Sequence, residues 1–180
     1  MKINLLKKLN NIIIISFAFL FFSCGIKPKS NSNSQLNGVS GDFYTSFYKE
    51  DGSTIYFIRP LEFLSDNEKL IADFTFLKKN DTIEDVTINF SILSTNKIAS
   101  SNLNEIKINE LLIKDYKILY NEPKSSKLNE IRISLVYPKD EFIKNYKDLK
   151  FKIEENHTIK EYLPRKKTLK NLLNTGLLIN

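Results

Sequence analysis

The sequence predicts an all-β protein: one antiparallel β-sandwich with a short amphipathic helix at its C-terminal end. Three observations lead to this fold class. Apolar and polar residues alternate in several short segments, as they do in half-buried strands. The length of 180 residues suits one compact domain. After Pro164 the apolar spacing changes from two residues to three and four, which indicates a helix.

The clearest alternation lies in the middle of the chain, where residues 70–76 and 86–92 place an apolar side chain at every second position. The polar segment between them predicts a β-hairpin. Six further segments complete a set of about eight strands: 43–49, 54–59, 105–108, 111–120, 131–137 and 149–154. Each strand has one polar face, so a second layer must cover the other, and we expect an immunoglobulin-like sandwich.

Two helices are expected beside the strands. A short one should follow Pro138, because Phe142, Ile143 and Tyr146 recur at helical spacing. The C-terminal helix is predicted from four leucines at the same spacing: Leu169, Leu172, Leu173 and Leu177. Gly176 lies where that helix could end.

The first 24 residues have the three-part organisation of a secretory signal peptide. Three lysines come first, an apolar run spans residues 12–22, and Ser23 precedes Cys24, the single cysteine of the chain. A membrane-spanning helix needs about 20 apolar residues, and this run has 11. We therefore expect the segment to be cleaved.

The residues Phe21, Phe22, Ser23 and Cys24 resemble the lipobox of bacterial lipoproteins. The resemblance implies a signal peptide in residues 1–23, cleavage by signal peptidase II and diacylglycerol on the sulfur of Cys24. Residues 24–41 would then be the lipidated cysteine and a flexible tether rich in Ser and Asn, and residues 42–180 the sandwich domain. An ordinary signal peptide or an uncleaved anchor is the alternative for the same segment.

Charge and location are linked in this interpretation. The full chain carries a formal net charge of +6, and removal of residues 1–23 takes away three lysines and leaves +3. Gly25 stands where some inner-membrane lipoproteins have an acidic retention residue. We therefore expect a lipid-anchored envelope protein, on the outer membrane and facing the periplasm, with no nucleic acid among its partners.

Catalytic chemistry has little support in the sequence. His157 is the only histidine and lies in a polar segment typical of a turn. Adjacent carboxylates such as Glu154 and Glu155 point to opposite faces of a strand and so are poorly placed to act together. The sequence predicts no metal, no cofactor and no enzyme activity.

Two sets of residues are candidate contact or modification sites. Arg165, Lys166, Lys167 and Lys170 form a basic run without acidic residues after it, which could touch anionic lipid or an acidic partner. The alternative is that the neighbouring leucines pack on the domain and the lysines face water. Thr82, within Asp81-Thr82-Ile83, resembles the acceptor triplet of a bacterial O-glycosylation system.

Three functions follow as hypotheses. The first is a non-catalytic accessory protein that binds an envelope partner through a sheet edge or an aromatic face. Aromatic residues crowd the first two predicted strands, and alternation can bury only about half of them. The alternative is a carbohydrate- or peptide-binding module, which should show an exposed aromatic strip or a polar groove. The third is an envelope enzyme with a mechanism that uses no histidine.

Overall fold

The computed structural model describes residues 41–66, 68–95 and 103–179. The predicted signal peptide, Cys24 and the tether up to residue 40 lie outside the described residues. Among the residues that the structure describes, no helix has both the length and the apolar character needed to cross a membrane.

Eleven strands and two α-helices are formed by the described residues. The strands are β1 Tyr44–Tyr48, β2 Thr54–Ser65, β3 Glu68–Lys79, β4 Thr82–Ile83, β5 Val86–Ser94, β6 Leu103–Ile108, β7 Leu111–Ile113, β8 Tyr116–Ser125, β9 Leu128–Tyr137, β10 Phe151–Glu155 and β11 Thr158–Pro164. The helices are α1 Lys139–Asn145 and α2 Lys166–Ile179. Short 3-10 turns span Gly41–Phe43 and Tyr146–Asp148. The all-β class and the C-terminal helix are thereby confirmed.

The strands form one antiparallel sheet in the order β7-β6-β10-β11-β2-β3-β5-β9-β8, with β1 on the first part of β2 and β4 on the end of β3. The predicted immunoglobulin-like sandwich is not confirmed, because the strands follow one another laterally in a single curled sheet. Two of the eleven strands were missed, β4 and β11. The predicted strand 111–120 is interrupted at Lys114 and Asp115. These two polar residues separate β7 from β8.

The sheet has two parts. The large half contains β1 to β5, β8 and β9, and the small half contains β6, β7, β10 and β11. The halves are joined along the sheet where Leu163 pairs with Leu64 and Pro164 with Phe63. Two paired positions give few backbone hydrogen bonds, so packing between the halves has to hold the sheet in its curl.

The curl brings the two ends of the strand order together. β7 and β8 occupy opposite ends, yet only Lys114 and Asp115 lie between them in the chain. Consecutive Cα atoms are 3.8 Å apart, so Ile113 and Tyr116 are within about 11 Å of each other. The sheet is therefore curled into a half-barrel, with the core on its inner face.

Aromatic residues fill the inner face where the halves meet. Phe151 of β10 contacts Phe63 of β2 and Phe90 of β5, with ring centroids 4.9 and 5.3 Å apart. These three side chains are fully buried. Burying an aromatic side chain of this size contributes about 2–3 kcal/mol, so Phe151 is a principal link between the small and large halves.

The two helices close the other part of the inner face. Phe142 of α1 is buried against Phe74 and Phe76 of β3, with ring centroids 5.9 and 6.4 Å apart. Helix α2 passes so close to the 3-10 turn that a Cβ atom on Gly176 would lie 2.5 Å from Cζ of Tyr146. Glycine is required at this position by close packing, and the helix continues through it.

We predict that Gly176→Ala destabilises the protein. Alanine in place of glycine normally stabilises a helix by about 1 kcal/mol, but here the added methyl group overlaps the buried Tyr146 ring. The free energy of unfolding, measured by urea denaturation, should fall by about 1–3 kcal/mol. The control Leu177→Ala, on the exposed face of the same helix, should change it by less than about 0.5 kcal/mol. A gain in stability for Gly176→Ala would contradict the packing.

Candidate functional site

The outer face of the large half carries two aromatic rings side by side. Thr45 pairs with Phe57 and Phe47 pairs with Ile55, so the side chains of Phe47 and Phe57 project from the same face of the sheet. Their ring centroids are 5.3 Å apart at an interplanar angle of 86°, an edge-to-face contact. Phe57 is 40% exposed. The rings therefore hold one another in place while they remain open to solvent.

Two aliphatic side chains extend this surface. Ile55 pairs with Leu77 of β3, and both are half-buried on the outer face. We name Phe47, Ile55, Phe57 and Leu77 the aromatic patch. Because β1, β2 and β3 are hydrogen-bonded neighbours over these positions, the patch is fixed by the sheet and does not depend on a loop.

Arg59 lies beside the aromatic patch. The pairing of β2 with β3 shifts between Ile58 and Leu61, which marks a β-bulge at Arg59 and Pro60. Ile58 and Leu61 are buried, whereas the two bulge residues are exposed. Arg59 forms no ion pair with any other described residue, so its guanidinium is available to an acidic group.

The outer face becomes polar beyond the aromatic patch. Arg132 forms an ion pair with Asp73 and donates a hydrogen bond to the hydroxyl of Ser91 at 3.0 Å. The amide of Asn89 donates to the same carboxylate of Asp73 at 3.0 Å. These groups satisfy one another across β3, β5 and β9, so they form a fixed polar border beside the aromatic patch.

A second polar cluster lies on the inner face, where the small and large halves meet. We name its five residues the Glu68 cluster: Glu68, Ser94, Glu155, Lys160 and Tyr162. Glu68 accepts hydrogen bonds from the Ser94 hydroxyl at 2.7 Å, the Lys160 Nζ at 2.8 Å and the Tyr162 hydroxyl at 2.6 Å. Lys160 also donates to Glu155 at 2.9 Å. These bonds connect β3 and β5 to β10 and β11.

The electrostatics of the Glu68 cluster follow from this bonding. Burial alone would raise the pKa of Glu68, but hydrogen bonds from Lys160, Tyr162 and Ser94 outweigh it and hold the pKa below its usual range. Burial and the neighbouring Glu68 raise the pKa of the Tyr162 hydroxyl, which stays protonated and donates. Burial opposes the charge of Lys160, but its two carboxylate partners raise its pKa overall. The cluster is a charged clamp between the halves.

The outer face of the small half carries alternating charges around a cleft of about 260 Å³. Lys152 pairs with Glu110 at 2.9 Å, and Lys150 pairs with Glu161 at 3.0 Å. Pairs of this kind between neighbouring strands support strand register, and their charges cancel locally. Four glutamates and two lysines line the cleft, so its lining is acidic on balance even though Lys152 is paired.

The basic run predicted as a contact site is divided by the structure. Arg165 forms an ion pair with Glu62 at 2.9 Å, at the point where α2 begins. Lys166, Lys167 and Lys170 are exposed and form no ion pair within the described part of the chain. The structure thus leaves three of the four cations open to a partner.

The leucines predicted to lie beside the basic run are divided as well. Leu172 is buried, but Leu173 is 52% and Leu177 is 43% exposed. The buried side of α2 uses small and polar residues as well as large apolar ones: Thr168, Leu172, Thr175, Gly176, Leu178 and Ile179. Sequence reasoning missed this side because it counted only apolar residues.

Thr82 and His157 are both exposed, but only His157 lies in a turn as expected, since Thr82 is the first residue of β4. Thr82 begins β4 after Asn80 and Asp81, which have positive φ angles of 49° and 61°, and its hydroxyl donates to the Lys79 carbonyl at 2.8 Å. O-glycosylation of Thr82 stays a prediction. His157 occupies the tight turn between β10 and β11, with Nδ1 3.7 Å from Glu154.

Some site residues had no clear sequence signal. A proline within a strand pattern indicates a bulge, so Pro60 could have drawn attention to Arg59. The Glu68 cluster could not be found, because Lys160 and Tyr162 lie on a strand that was missed. The crowded aromatics did point to β1 and β2, but not to which rings stay exposed.

Comparisons with known proteins give no family for this chain. No protein-family model matches it, and no curated protein or solved structure is similar to it. Among the residues that the structure describes, no three His, Cys, Asp or Glu side chains are grouped to hold a metal ion. The function proposed below is therefore argued from surface geometry.

We predict that Lys160→Met destabilises the protein in a pH-dependent way. Glu68 and Glu155, whose side chains are each 11% exposed, would lose their shared cation. Breaking a buried pair by removal of one partner costs about 3–5 kcal/mol near neutral pH. Because the pKa of Glu68 is lowered in the folded parent, its contribution is present above the usual carboxyl pKa and is lost as the pH falls through the folded value.

The difference between parent and variant in the free energy of unfolding should therefore shrink in acid. Denaturant titrations from neutral to acidic pH measure this difference. Lys117→Met, at an exposed lysine without an ion pair among the described residues, serves as the control and should show no such trend. A constant difference at every pH would show that Lys160 acts through packing alone.

Proposed function

We propose that this chain is a lipid-anchored protein of the bacterial envelope that binds a partner protein and carries out no catalysis itself. The observation that carries the proposal is the aromatic patch with Arg59 beside it, exposed on a face that the sheet holds rigid. The partner surface that fits it has apolar side chains for Phe57 and a carboxylate for Arg59.

The composition of this surface supports a protein partner. Aromatic residues and arginine are enriched at protein interfaces, where a few well-packed side chains provide most of the binding energy. Phe57 supplies apolar area, and its contact with Phe47 reduces the conformational freedom that binding would cost. The bonded groups around Asp73 and Arg132 form the kind of polar border that surrounds such a centre.

The face fits a partner better than the sheet edge does. β8 lies at one end of the strand order, but its pairing with β9 shifts at two places, and Pro123 and Lys124 lie near its end. Bulges, proline and lysine are the features that discourage edge pairing. β7, at the other end, has three residues.

A carbohydrate-binding module is the second candidate, since Tyr48 and Phe57 are both exposed aromatic residues. Their positions favour it less. Phe57 pairs with Thr45, and Tyr48 is three residues further along β1, so the two rings project from opposite faces of the sheet. A glycan could stack on one ring at a time, whereas a protein surface can cover the whole aromatic patch.

The anchor and location belong to the same proposal. With Cys24 lipidated at the outer membrane, the residues up to 41 would form the tether between the lipid and the domain. Residues 42–180 would then face the periplasm at a short distance from the bilayer. Three acyl chains would hold the protein stably, because a single chain gives only marginal binding.

The sandwich is retained as a finer proposal about architecture. Phe151 of the small half packs on Phe63 and Phe90 of the large half, which supports two layers across one core. In this view the domain is an immunoglobulin-like sandwich whose sheets are continuous at β2 and β11.

We expect Phe57→Ala and Arg59→Gln to reduce recovery of the partner. The tagged full chain is crosslinked mildly in native membranes, and captured proteins are quantified by mass spectrometry. Loss of an interface side chain of this kind typically costs about 2 kcal/mol, so recovery at limiting concentration should fall roughly 30-fold.

Val136→Ala is the matched control. Val136 of β9 is exposed on the same outer face and is aligned with Phe57 across β3 and β5. It should leave recovery unchanged, and thermal unfolding should confirm that all variants are folded. Equal recovery from Phe57→Ala, Arg59→Gln and the parent would rule out the aromatic patch as the binding surface. In that case a glycan array becomes the next test.

We expect Cys24→Ala to abolish palmitate labelling and to release the protein from membranes washed with high salt. The salt screens surface charge contacts, so protein that stays in the membrane fraction after the wash is held by its lipid. Ser34→Ala, in the tether, should keep both label and membrane retention. Full retention of unlabelled Cys24→Ala would contradict the lipoprotein proposal.

A further inference from the structure

We propose that α2 makes a second contact with the membrane, through an exposed stripe that lies on anionic lipid head groups. The stripe contains Lys166, Lys170, Leu173 and Leu177. It adds to the lipid anchor proposed above but does not depend on it, because the residues concerned belong to the folded domain.

The four residues share one side of the helix. Their spacings of four, three and four residues place them in a line along an α-helix. Both lysines are exposed, and the two leucines are among the most exposed large apolar residues described, at 52% and 43%. The stripe therefore has a cationic part toward the start of α2 and an apolar part toward its end.

The opposite side of α2 fixes this orientation. The Thr168 hydroxyl accepts a hydrogen bond from the Glu62 amide at 3.2 Å and donates to the Glu62 carbonyl at 2.7 Å. At the other end, Lys78 Nζ donates to the Leu178 carbonyl at 3.1 Å, and Gly176 packs on Tyr146. The helix cannot rotate to bury Leu173 and Leu177 without breaking these contacts.

Charge complementarity identifies the occupant. Residues 165–180 include four cations and no acidic residue, and Lys166 and Lys170 form no ion pair with described residues. Lysine is depleted at protein interfaces. Lysines near an anionic membrane surface are attracted to its head groups, and exposed leucines beside them can enter the boundary between head groups and acyl chains. An anionic lipid surface fits the stripe better than a protein does.

Vesicle binding tests the inference with the full chain carrying Cys24→Ala, which removes the lipid site and the only native thiol. Leu177→Cys is labelled with an environment-sensitive fluorophore and mixed with phosphatidylethanolamine vesicles that contain or lack phosphatidylglycerol. The emission should shift to the blue on the anionic vesicles. The same label at Ile159→Cys, an exposed position on β11, is the control and should not shift.

Charge removal provides the second measurement. An anionic surface attracts each nearby lysine enough that Lys166→Gln with Lys170→Gln should weaken vesicle affinity roughly 30-fold. Lys117→Gln with Lys127→Gln removes two exposed cations from the region of β8 and should have little effect. The inference is overturned if Leu177→Cys shows no anion-dependent shift, or if both pairs of substitutions act equally. These outcomes leave the lipid anchor untouched, since every protein lacks Cys24.

Discussion

The fold depends on the packing that keeps the sheet curled, because the lateral junction between β2 and β11 is weak. β2 and β11 share only two paired positions, so backbone hydrogen bonding cannot hold the small half against the large half. Two kinds of contact across the inner face do so. Phe151 packs on aromatic residues of β2 and β5, and the Glu68 cluster connects β3 and β5 to β10 and β11. Apolar burial supplies most of the stabilisation, while the buried ion pair fixes where β11 lies.

Because the sheet is curled, its inner and outer faces have different roles. The inner face is covered by the small half, α1 and α2, so its aromatic residues are structural. The outer face has no layer over it in the described residues, and there the sheet leaves Phe57 exposed and Arg59 without an ion pair. A rigid face next to a bonded polar border can recognise a partner without a moving loop.

The sequence predicted the parts of this structure that local periodicity controls. Alternation identified β3, β5 and β9, and the leucine spacing identified α2. It could not predict lateral order, because a period of two shows which side chains share a face but not which strand is adjacent. It missed β11, where Lys160 and Tyr162 point inward together. A lysine on the buried face breaks the apolar pattern, and only the distant Glu68 explains it. Likewise, the buried side of α2 could not be predicted, because it contains threonines and Gly176, and only the close contact with Tyr146 explains the glycine.

The small number of paired positions between β2 and β11 also bears on the order of folding. Leu64 and Leu163 are about a hundred residues apart, and Thr168 meets Glu62 across a separation of 106. β2, β3 and β5 can pair through short connections, whereas the closing contacts must wait for β10, β11 and α2. Until those segments arrive, Phe63 and Phe90 stand on an uncovered apolar surface. The period between synthesis of the large half and its closure is therefore when the chain is most exposed to aggregation and most in need of a chaperone.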